Sequence, residues 1–326
     1  MNTVPVNIGM IEAANLRLQG HARRTPLLSS PFLDEIAGRR VFVKAECLQH
    51  TGSFKFRGAW SAVTALRDDV RGVIAYSSGN HAQGVAYAAG LRGLSAVIIM
   101  PRDAPAIKIA NTRALGAEVV LYDRASEDRD ALGAKLAAER GLSLIQPFDH
   151  PQVIAGQGTT GLEIAEQAAR QGVTSAQVLV CCGGGGLTSG IALALEQHAP
   201  DMQVRTAEPE GFDDVAKSLA QGQVVTHPQR SGLCDAIVTP APGKLTWPIL
   251  KRLCGAGLVV SDAQVLAAMA LAFERLKIVV EPGGAVALAA ALFLPDQIDG
   301  DSVIVTVSGG NVDRDVFQRA LECTTP

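Results

Sequence analysis

AQVLVCCGGGGLTSG, residues 176–190, reads as a strand, a loop of four glycines and the opening of a helix. Its apolar run is continuous rather than alternating, as in a parallel strand covered by helices on both faces. The glycines place no Cβ between successive N–H groups and a ligand at the helix start. Working outward, the same unit recurs. RRVFVKAE (39–46), GVIAYS (72–77), SAVIIM (95–100), AEVVLY (117–122), MQVRTA (202–207) and SVIVTVS (302–308) are further strand-like runs, separated by alanine-rich helical stretches. Alternation of this kind predicts an α/β fold built from βαβ units around parallel sheets. The units between about 62 and 147 are short and regular, which suggests a small sheet of their own inserted into a larger one.

The 326 residues are 48% hydrophobic and carry a formal charge of -3. No basic run offers the electrostatic footprint of a nucleic-acid partner. No apolar stretch is long enough to span a bilayer, and MNTVPVNIGMIEAAN at the start lacks the charged and apolar regions of a secretion signal. Six cysteines, at 47, 181, 182, 234, 254 and 323, show no paired CxxC spacing, so free thiols in a cytoplasmic protein are expected.

Four other segments carry chemistry. In His50-Thr51-Gly52-Ser53-Phe54-Lys55-Phe56-Arg57-Gly58-Ala59 a lysine sits at a turn that opens a helix, with two phenylalanines to desolvate it. Desolvation favours the neutral, nucleophilic amine; taken alone, such a lysine is ordinary surface. Ser77-Ser78-Gly79-Asn80-His81 lies between a strand and a helix, where backbone N–H groups suit a carboxylate; an ordinary N-cap would look the same. Ser308-Gly309-Gly310-Asn311 follows the last strand and alone is only a turn signal. Glu208-Pro209-Glu210-Gly211-Phe212-Asp213-Asp214 gathers oxygen ligands of the kind magnesium or calcium takes, or forms a solvated acidic turn. The tetraglycine loop lacks the Lys-Ser or Lys-Thr of a Walker loop and does not fit GxGxxG, so a phosphate ligand smaller than a nucleotide is favoured. His21, His150, His198 and His227 have no metal spacing and receive no role.

With these motifs in this order from Arg24-Thr25-Pro26-Leu27 to Asp313, the chain resembles the serine/threonine dehydratase group of fold-type II pyridoxal-phosphate enzymes, to which serine racemase belongs. The resemblance implies two open, twisted α/β domains with the cofactor between them: a large domain of residues 1–61 and 148–326, and a small inserted domain of residues 62–147. It implies Lys55 as the Schiff-base lysine and α-proton base, with Phe54 beside the ring. Gly183, Gly184, Gly185, Gly186 and Leu187 match the phosphate cradle, and Ser308 the partner of the pyridine nitrogen. Ser77, Ser78, Asn80 and His81 match the loop that holds the substrate carboxylate, Asn80 also reaching the ring hydroxyl. Glu208, Asp214 and the carbonyl of Phe212 match a divalent-cation site (Mg2+, or Ca2+ or Mn2+), and Glu281 an acidic residue near the active site. Cys234-Asp235-Ala236 departs from the Asp-Gly that relatives often have there, and Ala236 narrows the pocket. A homodimer is implied, and a C-terminal regulatory domain is not expected.

The expected activity is elimination of water and ammonia from L-threonine or L-serine to give a 2-oxo acid. Two alternatives stand beside it: serine racemase, since Ser78 can work opposite Lys55, and 3-hydroxyaspartate dehydratase, whose second substrate carboxylate needs a cation such as Arg129. A rival from another class is a non-catalytic module that senses a phosphate ligand through the glycine loop.

Overall fold

A computed structural model describes residues 6–104, 106–228 and 231–323; the first five residues of the N-terminal stretch discussed above lie outside them. Among the described residues ten strands form two sheets. Those of the larger are β1 (Leu27–Ser29), β2 (Arg40–Ala45), β7 (Ala176–Cys181), β8 (Met202–Pro209), β9 (Leu258–Val260) and β10 (Ser302–Val307). The smaller holds β3 (Gly72–Tyr76), β4 (Ser95–Pro101), β5 (Glu118–Tyr122) and β6 (Leu142–Leu144).

The larger sheet runs β1-β2-β10-β7-β8-β9 and the smaller β5-β4-β3-β6. Every pairing is parallel except that of β1 with β2. The longer strands fall where the apolar runs put them. β1, β6 and β9, three residues each, were not anticipated, because three residues are too few to show a period.

Helices cover the sheets for reasons visible in their composition. Pro282–Phe293, PGGAVALAAALF, is apolar all round and lies buried against β10, β7 and β8, as such a helix must. Asp262–Leu271 starts at a capping box of Ser261 and Gln264, which satisfies two end N–H groups at once. The following Ala272–Leu276 is a π-helical turn that the sequence does not announce.

Topology places the site. β2, β10 and β7 are neighbours in parallel register, with Val307 opposite Ala45 and Val305 opposite Leu179. The segments after their carboxyl ends, which carry Lys55, Ser308 and the glycines, therefore leave from one edge, where open parallel sheets bind ligands.

Candidate active site

Lys55 opens the helix Lys55–Thr64. The turn before it is stitched to the end of β10: Phe54 N–H donates to the Ser308 carbonyl at 3.1 Å, Gly310 N–H donates to the Gly52 carbonyl at 2.9 Å, and Ser53 bridges Gly309. Thr51 takes a left-handed φ of 58° to make this turn, a conformation uncommon outside glycine. The Lys55 amine donates to the Pro147 carbonyl at 2.9 Å and lies 5.1 Å from the Phe54 ring centroid. Burial lowers its pKa to about 8 against the opposing pull of Glu281. The neutral amine is therefore well populated just above neutrality. Capture of an aldehyde by protein stripped of any bound aldehyde is expected to accelerate from about pH 7 to 9, with a midpoint at about 8. Stopped-flow absorbance checks this; a rate flat across that range would contradict the lowered pKa.

The glycine loop forms a recess lined also by Phe148, Gln157, Thr188, Ala236, Ile237 and Thr239. Each of three glycines is required by what stands opposite. A Cβ on Gly184 would lie 2.4 Å from the Phe148 ring, and one on Gly186 2.6 Å from Gln157 Oε1. Gly185 has φ +87° and would meet Leu250 at 2.6 Å. The helix Gly186–His198 begins here, and its first N–H groups have no intrahelical acceptor. Around them the Thr188 and Thr239 hydroxyls and the Gln157 amide are buried without a hydrogen-bond partner among the described residues. Unmatched donors at a helix N-terminus are the chemistry a phosphate requires. Gly184→Ala is expected to raise the dissociation constant for pyridoxal phosphate by roughly 5- to 150-fold, since a methyl forced into packed atoms costs about 1–3 kcal/mol. Fluorescence titration of stripped protein measures it; wild-type affinity would dismiss the cradle.

A second space, of about 270 Å³, opens beyond Lys55 toward the smaller sheet. Its walls include Ser77, Ser78, Gly79, Asn80 and His81, which follow β3 and start the helix Asn80–Leu91. Ser77 Oγ accepts from Gly79 N–H at 3.1 Å, shaping the turn. His81 Nε2 is 2.8 Å from the Ile145 carbonyl, which can only accept, so Nε2 bears the proton. Nδ1 is buried with no partner among the described residues. Burial, then the nearby Lys55 charge, lowers the His81 pKa to about 3. In this state the second nitrogen offers a lone pair, so a carboxylate here is better met by the backbone N–H groups of the turn than by the imidazole.

Asn80 belongs to a chain of hydrogen bonds that joins three side chains and a backbone carbonyl from four distant segments. Asn311 Nδ2 donates to the Thr51 carbonyl and to Asn80 Oδ1, both at 2.7 Å, and Asn80 Nδ2 donates to Glu281 Oε1 at 2.6 Å. Burial raises the Glu281 pKa to about 8. Gly309 admits this carboxyl, for a Cβ there would sit 2.0 Å from Oε1. Sequence reading named Asn80 and Glu281 without linking them, and gave Asn311 no part.

The remaining wall is cationic. Lys108, Arg124 and Arg129 line it with Tyr76 and Tyr122. Arg129 pairs with Asp130 and lies 5.5 Å over the Tyr76 ring. Of these only Arg129 stood out in the sequence. Ser308 follows β10 directly, buried, beside the Cys181 thiol.

Apart from this cleft, Glu208 and Asp214 come together at the end of β8. Glu208 accepts from the N–H groups of Val215 and Ala216 at 2.9 and 2.7 Å, capping the helix Asp214–Gln221, while Asp214 Oδ2 is buried without a partner among the described residues. Burial raises both carboxyl pKa values, Asp214 to about 7. Phe212 packs on His227 nearby. Among the described residues no group of three or more His, Cys, Asp or Glu side chains converges as a metal site. An unpartnered buried oxygen beside a second carboxylate is a donor set compatible with a hard cation whose shell water completes.

The family model for pyridoxal-phosphate dependent enzymes matches residues 18–310. The chain belongs to this family. Membership displaces the phosphate-sensing alternative and implies pyridoxal phosphate as cofactor; the unpartnered donors of the glycine recess fit the chemistry of its phosphate. An L-threo-3-hydroxyaspartate ammonia-lyase of Pseudomonas sp is 44% identical over 315 residues, covering 96% of this chain and 97% of the relative. A serine racemase of Oryza sativa subsp. indica is 39% identical over 324 residues, covering 97% and 94%. The crystal structure of a threonine deaminase from T.th. superposes with a TM-score of 0.89 at 44% identity, over 94% of this chain and 99% of that one. These likenesses also bear out the two-domain α/β fold. Among the described residues of this pyridoxal-phosphate family member no helix is long and apolar enough to cross a membrane.

Proposed function

We propose that the protein is an ammonia-lyase acting on a β-hydroxy amino acid, with 3-hydroxyaspartate ahead of threonine and serine. The observation that carries this choice is the cationic wall of Lys108, Arg124 and Arg129 in the space beyond Lys55. Burial raises the Glu281 pKa to about 8, and the four cations lining that space, Lys55 among them, outnumber its two acids, Asp235 and Glu281. A second substrate carboxylate matches it; the methyl of threonine or the bare β-carbon of serine has nothing there to meet.

When bound, pyridoxal phosphate supplies a conjugated ring that takes up the charge left at the α-carbon when its proton departs. In this reading the glycine recess and Thr188 would hold the phosphate, and the Ser308 hydroxyl would serve the ring nitrogen. The N–H groups of Ser78, Gly79 and Asn80 bind the α-carboxylate. Lys55 accepts the α-proton as a neutral amine, a role its lowered pKa suits. Departure of the β-hydroxyl as water, followed by hydrolysis of the enamine, releases ammonia and a four-carbon 2-oxo diacid. Ser78 lines the same space as Lys55, and this second proton-handling group favours racemisation of serine as a side activity.

Release of oxo acid from L-threo-3-hydroxyaspartate, L-threonine and L-serine tests the choice. A kcat/KM at least ~10-fold higher for the first is expected, because only that substrate makes a charge-assisted contact with these cations. Equal or better turnover of threonine would reverse the order. As part of the same reading, Glu208, Asp214 and the Phe212 carbonyl hold Mg2+ or a similar divalent cation. Chelation is then expected to lower the melting temperature, and Mg2+ to restore it; an unchanged melt removes the cation from the account.

A further inference from the structure

Lys108 differs from the other two cations of the wall. Arg124 pairs with Asp103 and Arg129 with Asp130, all four well exposed, and such pairs are weak and screened by salt. The Lys108 side chain is only 17% exposed. It projects from the helix Ala106–Ala114, which belongs with the smaller sheet, and its ammonium donates to Asp235 Oδ2 at 3.0 Å, 127 residues away. Asp235 itself is 59% exposed and starts the turn Asp235–Ile237. The next two residues of that turn, Ala236 and Ile237, line the glycine recess.

The ion pair thus spans the mouth of the cleft, joining the unit that carries the substrate loop to the turn over the phosphate cradle. Lys108 and Asp235 both line the 270 Å³ space. An ammonium has three donors in a compact head, so Lys108 can turn from one carboxylate to another without moving its backbone. The other acids whose charge reaches it are Asp313 and Glu281; Glu281 is tied to Asn80.

We propose that Lys108 and Asp235 form a carboxylate-exchange latch, in which Asp235 holds Lys108 until the distal carboxylate of a dicarboxylic ligand takes its place. The proposal rests on the reading that this space receives the substrate's second carboxylate. Lys108 is then the specificity-determining cation, and Asp235 the competitor that sets how strongly a dicarboxylate must bind to displace it.

Succinate and butyrate share a four-carbon length and differ in one carboxylate, so calorimetric titration of the holoenzyme with each isolates the latch. Wild type is expected to favour succinate by about tenfold or more, the scale of one partly desolvated charge-assisted contact. Lys108→Met is expected to erase that preference while keeping the visible absorbance of the bound cofactor. Lys108→Arg should restore part of it. Asp235→Asn should tighten succinate severalfold and leave butyrate unchanged. An unaltered succinate preference in Lys108→Met, no preference in wild type, or weaker succinate binding in Asp235→Asn would each overturn the latch. The two readings fail separately: selectivity for succinate without turnover of 3-hydroxyaspartate sinks the substrate choice alone, whereas turnover of 3-hydroxyaspartate with an unaltered preference in Lys108→Met sinks the latch alone.

Discussion

Replacement of Lys55 by alanine is expected to abolish borohydride-stable attachment of the cofactor and to lower elimination by roughly a thousandfold or more, since both a nucleophile and a positioned base are lost. The variant should still fold, because among the described residues the lysine side chain makes a single hydrogen bond, to the Pro147 carbonyl, and the turn around it is held by backbone bonds to Ser308 and Gly52. Visible absorbance, mass analysis after reduction and single-turnover assays report these effects independently. Retained activity with a folded Lys55→Ala protein would mean that another amine carries the chemistry, and the site would have to be reassigned.

The second large effect is on stability. Two residues beyond Lys55, Arg57 is buried at 1% exposure among acids from two other elements. Its Nε and Nη2 donate to the two oxygens of Glu46 at 2.8 Å each, and its Nη1 and Nη2 donate to those of Glu163 at 2.7 and 2.9 Å. Lys44 binds Glu163 from the other side. Against the effect of burial the carboxylates raise the Arg57 pKa and the two cations lower that of Glu163, while burial lowers that of Lys44. Arg57→Met keeps much of the volume but leaves Glu46 without its direct cation and Glu163 with Lys44 alone. Removing one partner from a buried pair costs about 3–5 kcal/mol, and destabilisation of that order is expected in urea melts of the apoprotein. A loss under about 1 kcal/mol would show that water reaches the cluster. Because Arg57 clamps the first turn of the lysine helix to the end of β2 and to the helix Pro151–Arg170, weaker cofactor retention should accompany the loss.

What the sequence disclosed depended on how far apart the cooperating residues are. The glycine recess was legible because four adjacent glycines before a helix have few other uses. The lysine turn was legible by its company, since Ser53 and Phe54 meet Gly309 and Ser308 at the ends of neighbouring strands. Arg57 passed unnoticed although it stands in the same motif; nothing local distinguishes a buried arginine from an exposed one. The bond between Asn80 and Glu281 joins residues 201 apart, and that between Asn311 and Asn80 residues 231 apart. Such partners share no local pattern, and only the order of the strands brings them together. The acidic segment at Glu208 gave its residue types truly but not the role seen for one of them, the capping of a helix by its carboxylate.

The division of labour between the two sheets has a consequence for how such a protein can change. Apart from Asn80, the groups assigned to the cofactor sit on the edge of the larger sheet, whereas Tyr76, Lys108, Arg124 and Arg129 ride on or near strands of the smaller one. Exposed ends of that smaller unit can therefore be rewritten, one charge at a time, while the buried scaffold behind the lysine stays untouched. Substrate choice becomes an adjustable setting on a fixed engine, and new preferences can arise through substitutions that cost almost nothing in folding free energy.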